Sequence, residues 1–312
     1  MEKRHNSFLI TLKYSMLVFA AGVAYGSELP LVRAAQMAGF DTSDILKAQY
    51  LFAALFLGIF ALIFARAKIN FKQFLQLALI GALSTGLSFG YYNAMKALPP
   101  ATAVTLLFQF AWMGVVLQAI VEHKLPSRTT VFAVLIILVG TFLATGVFEP
   151  QNWGKVTLPG ILFGILSALC YTFFLFFSGR FATTLPTASR AFVTTIGSIA
   201  LAFMLAPSFF VAGAVQQGVV QFLQGMAIFM IPLAVLGILV PLVLVQVAAP
   251  HLQNGVVSIM AASELPAGIV MAALFLNEEV SALVIVGVVV VLAGIVLSQY
   301  DSLRQSRKQT SI

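Results

Sequence analysis

Two carboxylates stand where a carboxylate is costly. Glu264 lies inside the apolar run 254–276 and Glu28 near the end of the first apolar run, each within the same four letters, Ser263-Glu264-Leu265-Pro266 and Ser27-Glu28-Leu29-Pro30. An acidic side chain at the centre of a membrane-crossing helix costs roughly 2.5–3.5 kcal/mol on insertion scales. Pro266 and Pro30 each remove a backbone donor, so the helix is weakened beside the charge. An ionisable group next to a helix break at membrane depth marks an ion or solute pathway by default. At Glu264 the chemistry on offer is proton coupling or cation binding in a central cavity. The competing structural role is a protonated carboxyl bonded to a neighbouring helix or to the carbonyl freed by Pro266. Glu28 lies about five residues from the outer end of its run, roughly 7 Å at the helical rise. It reads either as a pathway residue or as an outer-surface partner of Arg33 or Lys47.

Neutral polar side chains recur in the runs that would border such a cavity: Tyr91, Tyr92 and Asn93, then Gln109 and Trp112, then Tyr171 and Gln246. These types can hold a small polar or zwitterionic molecule without a fixed charge. Equally, they can join helices, at about 0.6 kcal/mol per hydrogen bond. Glu122, Glu278 and Glu279 fall at run ends, where capping or pairing with basic neighbours is expected. Gly22/Gly26, Gly86/Gly90 and Gly160/Gly164 have the GxxxG spacing that lets helices approach closely. Packing is the first reading of these pairs and a homodimer the second.

These residues require membrane-crossing helices to position them. The chain has 312 residues, 61% apolar and only 9% charged, against about 25% charged in a soluble domain. Apolar runs long enough to cross a bilayer fall at 12–32, 45–65, 74–98, 101–121, 130–147, 158–181, 188–210, 227–249, 254–276 and 282–300. The basic segment 1–13 resembles a secretory signal, but its apolar run is too long for a signal core, so retention is expected. With the N-terminus inside, thirteen Lys and Arg fall on inner segments and four on outer ones. The positive-inside rule then places both termini in the cytosol, in a multi-pass protein of the cytoplasmic membrane.

The chain also repeats itself. Tyr25 and Arg33 match Tyr171 and Arg180, Lys47 matches Arg190, Asn93 matches Gln246, and Glu122 matches Glu278, at offsets that lengthen across the loop 213–225. Five runs per unit is odd, so the halves must be inverted, with a site between them near the midplane. The expected fold is all-α and polytopic, ten transmembrane helices as two inverted five-helix repeats. Its parts are an N-terminal tail 1–12, a first repeat 13–148, a linker 149–157, a second repeat 158–300 and a C-terminal tail 301–312. In this alignment Glu28 faces Phe174, and Glu264 faces the window 108–111, where Gln109 is the polar candidate. Neither acid has an acidic mate.

The helix-closing stretches carry a family resemblance. Met271-Ala272-Ala273-Leu274-Phe275-Leu276-Asn277-Glu278-Glu279 with Gly287 and Gly294, and Leu117-Gln118-Ala119-Ile120-Val121-Glu122 with Gly140, resemble the drug/metabolite transporter superfamily, EamA type. The spacing after Glu122 is longer than that pattern, and Glu28 and Glu264 are not among its signature residues. The resemblance implies a ten-helix carrier, often an exporter of amino acids, other metabolites or toxic compounds.

Absences narrow the classes further. There is no GxxxxGK[ST] stretch for ATP, no GxSxG nucleophile elbow, and His5, His123 and His251 are scattered. Cys170 is the only cysteine, which excludes an intrachain disulfide and a thiolate cluster. The formal charge of +7 is spread over run ends and does not form a nucleic-acid patch. The expectation is therefore a non-enzymatic secondary transporter without cofactor or metal. Its partners are the bilayer and a small organic solute, either coupled to protons through Glu264 or uncoupled. A channel or a non-transporting sensor or scaffold is the alternative, and a membrane-embedded lipid enzyme the remoter one.

Overall fold

The computed structural model describes residues 2–65, 67–148, 156–205, 219–276 and 280–309. The described chain is all-helical, 85% helix and without strands. The helices are α1 (Glu2–Gly26), α2 (Glu28–Met37), α3 (Thr42–Phe64), α4 (Phe71–Ala97), α5 (Pro100–Leu107), α6 (Phe110–Glu122), α7 (Arg128–Ala144), α8 (Leu158–Ser178) and α9 (Thr187–Leu205). They continue with α10 (Val219–Leu233), a π-helical turn (Ala234–Leu239), α11 (Val240–Ala248), α12 (Asn254–Ala261), α13 (Glu264–Leu276) and α14 (Ala282–Gln309). Among the described residues nine stretches are long and apolar enough to cross a membrane, and α7, with 17 residues, is a shorter apolar helix. The fifth apolar run was expected to reach residue 147. It stops at Ala144, ahead of Gly146, whose φ of 67° turns the chain. The first run extends beyond its expected end at 32, as α2 continues to Met37.

Local chemistry sets the helix limits. Asn70 and Gln73 form a reciprocal capping box at the start of α4, Ser127 accepts from the Thr130 N–H at α7, and Thr157 does the same for Gly160 at α8. Pro99-Pro100 makes the tight turn expected between α4 and α5, with Pro100 as the first helical residue. Large side chains including Leu62, Phe71, Leu135, Val139, Leu162, Phe275 and Val296 point outward and are at least half exposed. A surface this apolar suits lipid rather than water. The linker segment 149–155, Glu278 and Glu279, and the loop residues 213–218 lie outside the described residues. The rest of that loop, from Val219, is helical.

Helices from the two halves of the chain pack on each other: α4 on α8 and α9, α1 on α11, α12 and α13, α6 on α12, and α7 on α14. Inside this bundle Lys47 and Arg190 are fully buried. Lys47 pairs with Asp44 at 3.1 Å. Arg190 donates to the carbonyls of Ser178 (2.7 Å), Gln246 (2.9 Å) and Phe181 (3.3 Å). It thereby satisfies the orphan carbonyls and negative pole at the end of α8.

Candidate solute pathway

Both Ser-Glu-Leu-Pro stretches fold the same way. A helix ends one or two residues before the serine, a new helix begins on the glutamate, and the proline is its third residue. Proline is tolerated there because a first-turn N–H has no partner within the helix. Ser27 Oγ donates to the Ala24 carbonyl (2.6 Å), and Ser263 Oγ donates to the Phe19 carbonyl across the bundle (2.8 Å).

The two breaks meet at one place. Gly22 and Gly26 of α1 face the break in the second half. A Cβ on Gly22 would collide with Ser263 Oγ, and one on Gly26 with the Glu264 carbonyl. This GxxxG pair therefore packs within the chain. The π-helical turn supplies a third element, because Gly237 lies against the Glu28 carboxyl. A Cβ there would stand 2.9 Å from its Cδ and 3.1 Å from Oε2. Single π turns inside α-helices often mark functional sites.

A cavity of about 540 Å³ opens on this junction. Its wall carries Glu28, Glu264 and four tyrosines, Tyr25, Tyr91, Tyr92 and Tyr171, with Arg33, Ser84 and Ser88. Tyr92 Oη donates to Glu28 Oε1 at 3.1 Å, and Tyr171 Oη to Glu264 Oε2 at 3.0 Å. The rings of Tyr25 and Tyr171 meet edge to face at 6.0 Å. The cavity runs toward the end of the bundle where α5 begins, α7 ends and α14 begins, reaching Pro100, Ala101, Gly146 and Ser281.

The other expected site residues lie off the cavity wall. Asn93 Nδ2 donates to the Phe89 carbonyl of its own helix (2.8 Å). Gln109 Nε2 donates to the Thr105 carbonyl (2.9 Å) and its Oε1 accepts from Trp112 Nε1 (2.8 Å), so these two form a local pair. Gln246 Nε2 donates to Thr194 Oγ1 (3.0 Å) in the buried cluster around Arg190. Sequence reasoning treated Tyr25 only as a repeat marker and passed over Gly237. The spacing of Tyr25 three residues before Glu28 was the available signal for the first.

A polar seam joins α6 to the start of α12, and none of its residues lines the cavity. Asn254 Nδ2 donates to the Gly114 carbonyl (3.1 Å), the Gly255 N–H to Gln118 Oε1 (2.6 Å), and Gln118 Nε2 to Gln253 Oε1 (3.3 Å). Tyr14 stacks on His251 nearby, ring centroids 4.0 Å apart.

The breaks in the fourth and ninth apolar runs have equal dimensions. α5 and α12 have 8 residues each, and α6 and α13 have 13 each. Phe110 therefore takes the place of Glu264, within the window expected for it. Phe110 and Phe174 are both fully buried against Tyr171, with centroids 4.3 and 6.2 Å away.

Residues 12–146 match the sequence model of the EamA-like transporter family. Over that stretch the chain is similar to this family, which lies within the drug/metabolite transporter superfamily. The family match and the apolar helices make this a multi-pass membrane protein, and they point to a transporter of small solutes. Transporters of this family are generally non-enzymatic. No curated protein matches the chain. A solved structure described only as "Crystal structure of protein" is similar in fold. Its TM-score is 0.73 at 17% identity, over 94% of this chain and 98% of that one.

Proposed function

We propose that the protein is a secondary carrier that moves a small organic solute across the cytoplasmic membrane by alternating access. Residues 13–148 and 158–300 act as two inverted halves, giving ten spans with both termini in the cytosol. α7 is the fifth span, shortened where the chain turns at Gly146. The paired contacts between halves support this reading. α4 packs on α8 as α11 packs on α1, and α6 meets α12 across the centre. The observation that carries the proposal is a cavity that holds two carboxylates at two helix breaks, with the hydrogen-bonded α6–α12 seam off its wall. The α6–α12 seam is then the inner gate. Its counterparts by the equal break lengths, Pro100 and Ala101 facing Gly268 and Ala272, line the open cavity and form the outer gate when it closes. Glu264 passes between a proton and the solute as the gates exchange. Export is the direction the resemblance favours.

Counterflow in proteoliposomes against a metabolite library, with and without a pH gradient, tests this. Saturable exchange of at least one solute is expected. A flux that neither saturates nor exchanges would indicate a channel, and no flux at all would remove the carrier reading.

A further inference from the structure

The cavity's own chemistry narrows the solute. On the open side, α2 and α13 each present a carboxylate at the first residue of a helix, and each carboxylate accepts one tyrosine hydroxyl, at 3.1 and 3.0 Å. A carboxylate has about four acceptor sites, so capacity remains on both for a donor in the cavity. Four tyrosine rings surround them, and aromatic faces attract cations.

The rest of the wall is largely apolar, with Leu87, Leu107, Phe108, Ile238, Leu265 and Ile269 among its residues. Phe110 and Phe174 are fully buried against Tyr171 and lie off the wall.

We infer that the cavity takes an organic monocation with an aromatic or apolar body, an amine or quaternary ammonium held between Glu28, Glu264 and the tyrosines. The inference deepens the carrier reading and rests on it. An apolar body suits the apolar part of the wall, and a single positive charge suits the carboxylates. Arg33 is the one basic group on the wall, five residues beyond Glu28 along α2. Two carboxylates against one guanidinium leave the wall with one acid in excess, which a single positive charge on the solute would balance.

Three probes share one skeleton and differ in charge: 2-phenylethylammonium, L-phenylalanine and 2-phenylethanol. Binding to purified full-length protein is measured by calorimetry, and counterflow of each is measured in proteoliposomes. The expected result is that the ammonium binds at least about tenfold more tightly than the other two. That preference falls at least about tenfold in both Glu264→Gln and Glu28→Gln, which keep the side-chain shape. Circular dichroism and gel filtration confirm that the variants fold. Equal binding of the three, tighter binding of phenylalanine, or an ammonium preference that survives both substitutions would overturn the inference. Failure of the ammonium to bind while another solute exchanges would overturn it too, and would leave the carrier reading standing. Charge-selective binding without exchange of any solute would overturn the carrier reading alone.

Discussion

Replacing Gln118 with alanine should open the inner gate. Gln118 holds two connections across the α6–α12 seam, accepting from the Gly255 N–H at 2.6 Å and donating to Gln253 at 3.3 Å. Interhelical hydrogen bonds in membranes average about 0.6 kcal/mol and reach about 1.7. Losing both therefore weakens the seam by about 1–3 kcal/mol. The counterpart residues of the outer gate, Pro100, Ala101, Gly268 and Ala272, have no side-chain hydrogen-bonding groups to offset this. At about 1.4 kcal/mol per tenfold, the inner-open population should rise by roughly 5- to 150-fold. Spin labels at the inner ends of α6 and α12, read by double electron–electron resonance, report this population directly. A longer-distance component should grow in Gln118→Ala and again in Gln118→Ala/Asn254→Ala, which also loses the 3.1 Å bond to Gly114. An unchanged distance distribution in the double variant would refute the gate assignment.

Gly237→Ala should lower transport more than it lowers stability. The added methyl meets Glu28 at 2.9–3.1 Å and displaces the carboxyl from Tyr92, within the usual overpacking cost of about 1–3 kcal/mol. Solute affinity against thermal midpoint separates the two effects. Tyr171→Phe removes the 3.0 Å bond to Glu264 and keeps the ring contacts with Tyr25 and Phe110. Its solute affinity should change several-fold, with the fold retained by circular dichroism. Asp41 caps α3 through the Ser43 N–H at 2.9 Å, so Asp41→Ala should cost about 0.5–2 kcal/mol in thermal unfolding. The Ser43 hydroxyl bond holds the Asp41 carboxyl below its ordinary value. Its stabilisation is thus present above about pH 4 and is lost as pH falls below that. The gap between wild type and Asp41→Ala should narrow on acidification.

The helices were legible because a bilayer makes length and apolarity explicit. The deep acids stood out for the same reason, since Glu264 and Glu28 are costly in every context but a cavity. Depth along the helix was harder to read. Glu28 looked like an outer-end residue because the first run seemed to end at Val32. α2 in fact continues to Met37, and Glu28 faces the same cavity as Glu264. Polarity alone also misplaced emphasis. The side-chain amide N–H groups of Asn93, Gln109 and Gln246 donate to backbone or to a neighbour, and a one-dimensional pattern does not reveal which way a side chain turns. Gly237 was invisible as a seat for Glu28 because the contact spans 209 residues of sequence. The likeness of the two Ser-Glu-Leu-Pro stretches, which lie in the first and ninth apolar runs, acquires a physical meaning in the fold. Each makes the same helix break, and the breaks meet at α1.

Counterflow by wild type and Glu264→Gln under an imposed pH gradient tests the central claim most directly. The solute that exchanges best is loaded on one side, and its labelled form is followed from the other. The account predicts saturable exchange by wild type that a pH gradient drives uphill, and a Glu264→Gln variant that has lost this response. An identical response of the two proteins to the pH gradient would contradict the role given to Glu264. Absence of exchange for every solute would contradict the carrier itself.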